Sequence, residues 1–247
     1  MIPVAKDMIM IQKNFRFIAL PLLFVMLVFQ VNSQIVDDEF HYGFYAGATY
    51  TSIDDIQTTI IPNVFAPNTH ETSLDRRFGY TVGFFVYERF KDSKFAIQPE
   101  ISFSMMGGDF VYSDINDLQY TMSFKYQYMS IATFMRVYPT GGLSLTLGPQ
   151  VGFNLDNTNI IYQSNMPELG PDLQVQQSLR EVLKGETDFS VYLGMGYEFE
   201  SGLMIEGRYK VGIADVIETQ SNGFNFSENR NRGSGFQLTI GYAIPFY

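Results

Sequence analysis

The chain has 247 residues, a formal charge of −10, no Cys, no Trp, 16% aromatic residues and 21 glycines. Its acidic balance argues against nucleic-acid or polybasic lipid binding, since both need basic patches against phosphate. The lack of Cys excludes disulfides, thiolate metal sites and a lipidated N-terminal cysteine, and the aromatic and glycine content suits a β-rich chain.

The N-terminus reads as a targeting segment. Lys13 and Arg16 form its basic start, Ile18 to Phe29 its apolar core, and Val31-Asn32-Ser33 a small-residue cleavage site. The apolar core is too short for a spanning helix, which needs ~20 residues; an uncleaved anchor is the alternative. Met8 or Met10 would give a tidier start. Residues 1–33 are therefore expected to be a cleaved signal peptide, and 34–247 one domain. Losing Lys6, Lys13 and Arg16 with that segment leaves the remainder more acidic still.

Beyond it, a period of two recurs. Weak forms cover Phe40 to Tyr50 and Phe78 to Phe90. Phe95, Ile97, Ile101, Phe103 and Met105 oppose Ala96, Gln98, Glu100, Ser102 and Ser104. Within Phe124 to Tyr138, Met129, Ile131, Met135 and Val137 share one face, with Ser130, Ala132 and Arg136 on the other. Leu143 to Asn154 and Phe189 to Phe199 alternate likewise. Next, Leu203, Ile205, Tyr209, Val211 and Ile213 oppose Met204, Glu206, Arg208, Lys210 and Gly212. In the last segment Phe236, Leu238, Ile240, Tyr242, Ile244 and Phe246 alternate with Gln237, Thr239, Gly241, Ala243, Pro245 and Tyr247.

Large apolar side chains on one face and small or polar ones on the other suit a transmembrane barrel, apolar to lipid and polar to the lumen. The pattern predicts an all-β fold, an eight-stranded antiparallel up-and-down transmembrane barrel, with 34–247 as one outer-membrane barrel domain. A soluble lipocalin-like barrel is the alternative. Against it stand inner faces that combine Gly with Glu and Arg, and apolar faces that run the whole strand length.

The connections alternate in length. Lys91-Asp92-Ser93, Pro139-Thr140-Gly141 and Glu200-Ser201-Gly202 are tight turns, whereas Thr51 to Arg77, Gly107 to Thr121, Leu155 to Glu186 and Asp215 to Ser234 read as long polar loops. Short periplasmic turns and long extracellular loops put both termini in the periplasm. Tyr87, Phe90, Phe95, Tyr138, Phe199 and Phe246 are expected in the inner aromatic girdle. Phe78, Tyr80, Phe124, Tyr126, Phe153 and Phe236 are expected in the outer one. Pro171 to Lys184, with Val175, Leu179, Val182 and Leu183 at helical spacing and Gly185 after them, predicts a helix in the third outer loop. It would cap loop packing or dock a partner.

Eight strands enclose a lumen that side chains can fill, so no open channel is expected. Charges there must be paired. Arg89, Glu100, Arg136, Glu198, Glu206, Arg208 and Lys210, with Gln98 and Gln150, form the expected luminal polar network; a gated polar pathway is its functional alternative. For catalysis, His70 with Ser73 and Asp75 is the one suggestive group, and His41 reads as interfacial packing. No G-x-S-x-G elbow, H-E-x-x-H pair or phosphate-binding loop occurs. Asp54, Asp55, Asp114, Asp117, Asp156 and Asp172 lack EF-hand spacing and read as solvated loop charge. The expectation is a non-enzyme with no cofactor and no metal. Its partners would be outer-membrane lipid and, through its loops, envelope or secretion-complex proteins; nucleic acid is not among them.

The segments RFGYTVGFFVYERF-KDSKFAIQPEISFS, YPTGGLSLTLGPQVGFN and FSVYLGMGYEFESGLMIEGRYKVGI resemble the PorT-like outer-membrane β-barrel family, from about Tyr42 to the C-terminus. The resemblance implies a small barrel in a Gram-negative cell envelope. One branch of the family belongs to the type IX secretion apparatus, so an accessory role there is an alternative; a narrow solute channel is another.

Overall fold

The structure, a computed structural model, describes residues 39–54, 70–90, 93–115, 117–165, 172–219 and 231–246. The expected signal segment, Asp55, Lys91, Asp92 and Pro171 lie outside these residues. The elements in chain order are β1 (Glu39–Ile53), β2 (His70–Arg89), β3 (Phe95–Asp114), β4 (Gln119–Thr140), β5 (Leu143–Asn154) and β6 (Ile160–Ser164). Then come α1 (Asp172–Val182), β7 (Leu183–Gly185), β8 (Asp188–Glu198), β9 (Leu203–Asp215), β10 (Ile217–Thr219) and β11 (Arg232–Phe246).

Eight strands form a ring in the order β3-β2-β1-β11-β9-β8-β5-β4, closed by the pairing of β3 with β4. First and last strands seal it in unbroken antiparallel register from Phe40–Phe246 to Ile53–Gly233. The pleat sorts side chains as the period of two requires. Leu238 and Leu193, on the outer face, are each 60% exposed, while the neighbouring Thr239 is 4% exposed. A soluble barrel would have these values reversed. Among the described residues no helix is long and apolar enough to cross a membrane; the strands carry the apolar band.

Two glycines allow the tight turns. Gly141 (φ 31°) and Gly202 (φ 85°) adopt the left-handed conformations that join β4 to β5 and β8 to β9. The opposite end departs from the sequence reading. β2, β3 and β4 are 20, 20 and 22 residues long. At ~3.3 Å per residue and a tilt of ~40°, β3 rises about 50 Å along the axis, roughly twice the height of an apolar band.

Most of the expected loop Gly107 to Thr121 is therefore strand, closed by a turn in which Asp114 N–H donates to Leu118 O at 3.0 Å and Asp117 is left-handed (φ 61°). Gly107 does not mark a turn. A Cβ there would lie 1.8 Å from Phe124 O, so the glycine permits close strand approach. His70–Arg77 likewise belongs to β2, not to a loop.

This extension is a lobe with a core of its own. β6 continues the sheet beside β4, pairing Ile160–Ser164 with Phe124–Tyr120. α1 lies along that edge: Arg180 Nε donates to Ile160 O at 2.9 Å and Gln176 Oε1 accepts from Tyr162 N–H at 3.1 Å. It is shorter than the expected 171–184, because Leu183–Gly185 pairs with β10. Leu183, Val216 and Ile217, from the connections, pack with Ile53, Met106, Phe110, Met122, Tyr126 and Tyr128 into one buried cluster over the mouth of the ring.

Candidate functional site

The inward pleat of β3, β4 and β9 converges on a belt of charge. Arg208 reaches Glu100 through two bonds, Nη1 to Oε2 at 2.8 Å and Nη2 to Oε1 at 2.6 Å, and donates to Glu206 Oε2 at 2.9 Å. Arg136 Nη2 donates to the same Glu206 oxygen at 2.8 Å. Tyr45 OH and Gln98 Nε2 donate to Glu100 as well. Arg136 is 1% exposed and Arg208 and Glu206 4% each, so these charges are withdrawn from solvent. Such an assembly holds only where each ion keeps its partners, since desolvation otherwise outweighs attraction.

Above the belt Arg208 stacks on Phe134, its guanidinium carbon 4.5 Å from the ring centre, and Phe134 meets Tyr192 edge-on. Higher still Lys210 pairs with Asp188 and stands 3.5 Å from Met106 Sδ. Below the belt Tyr138 OH donates to Glu198 Oε2 at 2.9 Å, and Tyr87 OH donates to the other oxygen. Arg89, partly exposed, lies over the Tyr138 ring at 4.7 Å. The seven residues of the expected network thus fall into three groups: the belt itself, the Lys210–Asp188 pair, and the Glu198–tyrosine–Arg89 cluster near the tight turns.

Sequence reasoning passed over Asp188. It shares the pleat of Ser190 and Tyr192, but lies one residue nearer the loop than Phe189, where the apolar alternation begins. Tyr87, Tyr138, Phe124 and Tyr126 were expected in the lipid-facing girdles, and this is corrected: all four are buried on the inward side. Two of their hydroxyls serve Glu198, and the other two rings belong to the lobe core. Phe78, Tyr80, Phe90, Phe95, Phe199 and Phe236 are exposed on the outer wall.

The other candidates do not assemble. Ser73 and Asp75 are exposed positions of β2, and position 70 falls on the opposite pleat. His41 stacks on Tyr87 at 4.6 Å. Asp114 Oδ1 accepts from Leu118 N–H and Asp172 Oδ2 from Ser164 N–H, so both carboxylates serve the backbone. Among the described residues no group of three His, Asp or Glu side chains is placed to hold a metal.

At the lobe tip Tyr120 stacks on Tyr112 at 4.7 Å and meets Tyr162 at 5.5 Å. Burial, then these two neighbours, push its hydroxyl well above the usual phenol value. Glu186, beside the β7–β10 pairing, is also pushed up, first by burial and then by the Glu218 carboxylate next to it.

Solved structures of surface and outer-membrane proteins match this chain at low identity. Neisserial surface protein A is 10% identical, covering 83% of this chain and 97% of its own, with a TM-score of 0.38. Ail, the attachment invasion locus protein of Yersinia pestis, is 10% identical over 83% and 99%, with a TM-score of 0.41. The outer membrane protein OprG from Pseudomonas aeruginosa is 10% identical over 85% and 96%, with a TM-score of 0.36. None of the curated proteins matches the sequence. The family model described as "Outer membrane protein beta-barrel domain" matches residues 30–218, most of the chain, and the protein belongs to that family.

Proposed function

We propose that this protein is a closed, non-enzymatic outer-membrane barrel that acts as an interaction scaffold through its extramembrane lobe. The observation that carries the reading is the stacking of paired charge, aromatic rings and an apolar lid along the lumen. Between Thr51, Met106, Tyr126, Tyr128, Lys210 and Gly233 there is a void of about 10 Å³, room for a water molecule at most. The polar network is then a structural core, and the lobe is the part left to meet other molecules. On this reading residues 1–33 are a cleaved signal peptide, both termini face the periplasm and the lobe is extracellular.

The finer likeness to the PorT-like branch rests on the three quoted motifs and favours a second reading, an accessory barrel of a type IX secretion complex. Purification of the tagged protein in mild detergent from native outer membranes, with mass spectrometry, tests both. Stoichiometric secretion subunits, lost when the α1 edge is altered at Leu173, an exposed position, support the second reading. A lone heat-modifiable barrel supports an autonomous scaffold. Discrete conductance steps in planar bilayers would overturn the closed-barrel reading.

A further inference from the structure

The outer wall carries a depression that the alternation of its strands makes by omission. Register lines up Ala48 of β1, Leu238 of β11, Gly207 of β9, Met195 of β8 and Leu145 of β5 in one row on the membrane face. The row towards the lobe reads Tyr50, Phe236, Tyr209 and Leu193. Gly207 thus sits among large neighbours with no side chain of its own, and a Cβ there would meet nothing closer than Met195 O at 4.0 Å. Around it runs a groove of about 630 Å³, walled by Tyr50, Phe78, Leu193, Met195, Phe236 and Leu238. Gly207 is free of any turn and has an ordinary strand conformation, so backbone geometry does not call for glycine here.

One cation stands at the lobe end of this groove. The Arg76 guanidinium lies over the Phe236 ring at 5.2 Å and the Tyr50 ring at 6.0 Å, two of the groove's own walls. It is set there where β2 shifts register against β3, between Arg76 and Thr81, and such bulges re-aim side chains. Its neighbour Arg77 is paired with Asp109 at 2.7 Å, but among the described residues no carboxylate lies within ion-pair distance of Arg76. Two residues of strand separate the Phe236 row from the Gly207 row, so the guanidinium stands on the order of 10 Å above the groove floor. An apolar trough in the bilayer band, with a guanidinium at the interface that no carboxylate among the described residues pairs, matches a lipid with an acyl chain below and a phosphate above. Arginine is suited to phosphate by its forked donors.

We propose that Gly207 and Arg76 form a binding site for one phosphate-bearing anionic lipid, its acyl chain in the Gly207 groove and its phosphate on Arg76. The site is independent of the scaffold reading and needs only that the wall face a membrane.

Native mass spectrometry of the detergent-released barrel with added dimyristoylphosphatidylglycerol tests it, against dimyristoylglycerol, which has the same chains and no phosphate. The wild type is expected to retain one phosphatidylglycerol and little diacylglycerol. Gly207→Leu fills the groove where a side chain meets no obstacle, so the barrel still folds and shifts on heating. Arg76→Gln removes the charge from a partly exposed position. Each is expected to weaken phosphatidylglycerol retention roughly tenfold, the scale of losing one charge-assisted contact or its apolar counterpart. Retention unchanged in both folded variants overturns the proposal and leaves only annular lipid. Equal retention of diacylglycerol overturns the role of Arg76. A wild-type dimer that Gly207→Leu abolishes also overturns it, assigning the groove to a second copy of the chain.

Discussion

Replacing Arg208 with Leu removes the residue on which the belt turns. Three charge-assisted bonds disappear, at 2.8, 2.6 and 2.9 Å. Taken as independent they would amount to about 5–9 kcal/mol. They are not independent, because the stranded acids keep other donors. Glu206 retains Arg136 at 2.8 Å, and Glu100 retains Tyr45 at 3.1 Å and Gln98. The expected cost is therefore that of breaking a buried pair, about 3–5 kcal/mol, against a total stability of roughly 5–15 kcal/mol. Urea unfolding in detergent reads it, by the gel shift of the folded barrel and by tyrosine fluorescence, which no Trp obscures. Glu100→Leu together with Arg208→Leu leaves no unpaired charge at the pair and is expected to recover about 1–3 kcal/mol relative to the sum of the single changes. The reasoning is refuted if Arg208→Leu costs under about 1 kcal/mol, or if the double variant is as unstable as the two losses added.

Leu238→Arg puts a charge on the lipid face and is expected to cost about 2–4 kcal/mol, visible as failed assembly; normal heat-modifiability would reverse the face assignment. Phe110→Ala opens the lobe core at a fully buried ring and should cost the lobe about 3–5 kcal/mol. Protease should then cut the lobe of that variant while the barrel below still folds; loss of both at once would make lobe and barrel one cooperative unit. Glu186 gives a pH test. Its folded carboxyl titrates above the ordinary range, so its contribution is fully present below the unfolded value and is lost as pH rises through the folded one. Protection of the β7–β10 amides, taken relative to their intrinsic base-catalysed exchange rate, should fall from acid towards neutral pH in the wild type, and Glu186→Gln should flatten that dependence.

The ring was legible because its signal is redundant. Eight alternating segments and the tight turns at Gly141 and Gly202 agree with one another, and a single slip of register would have exposed Arg136 or Glu206 to lipid. The lobe was not legible for a related reason. Above the membrane the outer face of β2 and β3 turns polar, with Ser73, Asp75 and Asp109 where Phe84 and Ile101 stand lower down, so the alternation no longer contrasts apolar with polar. Gly107-Gly108 then resembled a break. The signal that remained was on the inward face, where Phe110, Tyr112, Met122, Phe124 and Tyr126 keep the period of two. The misassigned aromatics follow from the same point: a girdle and a plug use the same residue types, and only the pleat distinguishes them. Asp188 was missed by one residue of strand boundary, the least certain feature of any sequence reading.

A small barrel needs no folded lobe merely to span a membrane. Short strands and flexible loops would suffice, and each ordered residue costs backbone entropy of about 1–2 kcal/mol. Here β2, β3 and β4 continue far past the apolar band, and Asn231 pins the connection after β9 through bonds to Val216 N–H, Ile217 N–H and Ile217 O. α1 covers the edge of β6 rather than hanging free, yet it leaves Leu173 71% exposed on its outer side. The belt charges in the lumen are paired with one another, which on the closed-barrel reading proposed above leaves the lobe as the part that meets other molecules. What remains available is an ordered surface of sheet edge, helix and tyrosine cluster held clear of the membrane. On the scaffold reading proposed above, the lobe is where changes of side chain should alter function without unfolding the barrel.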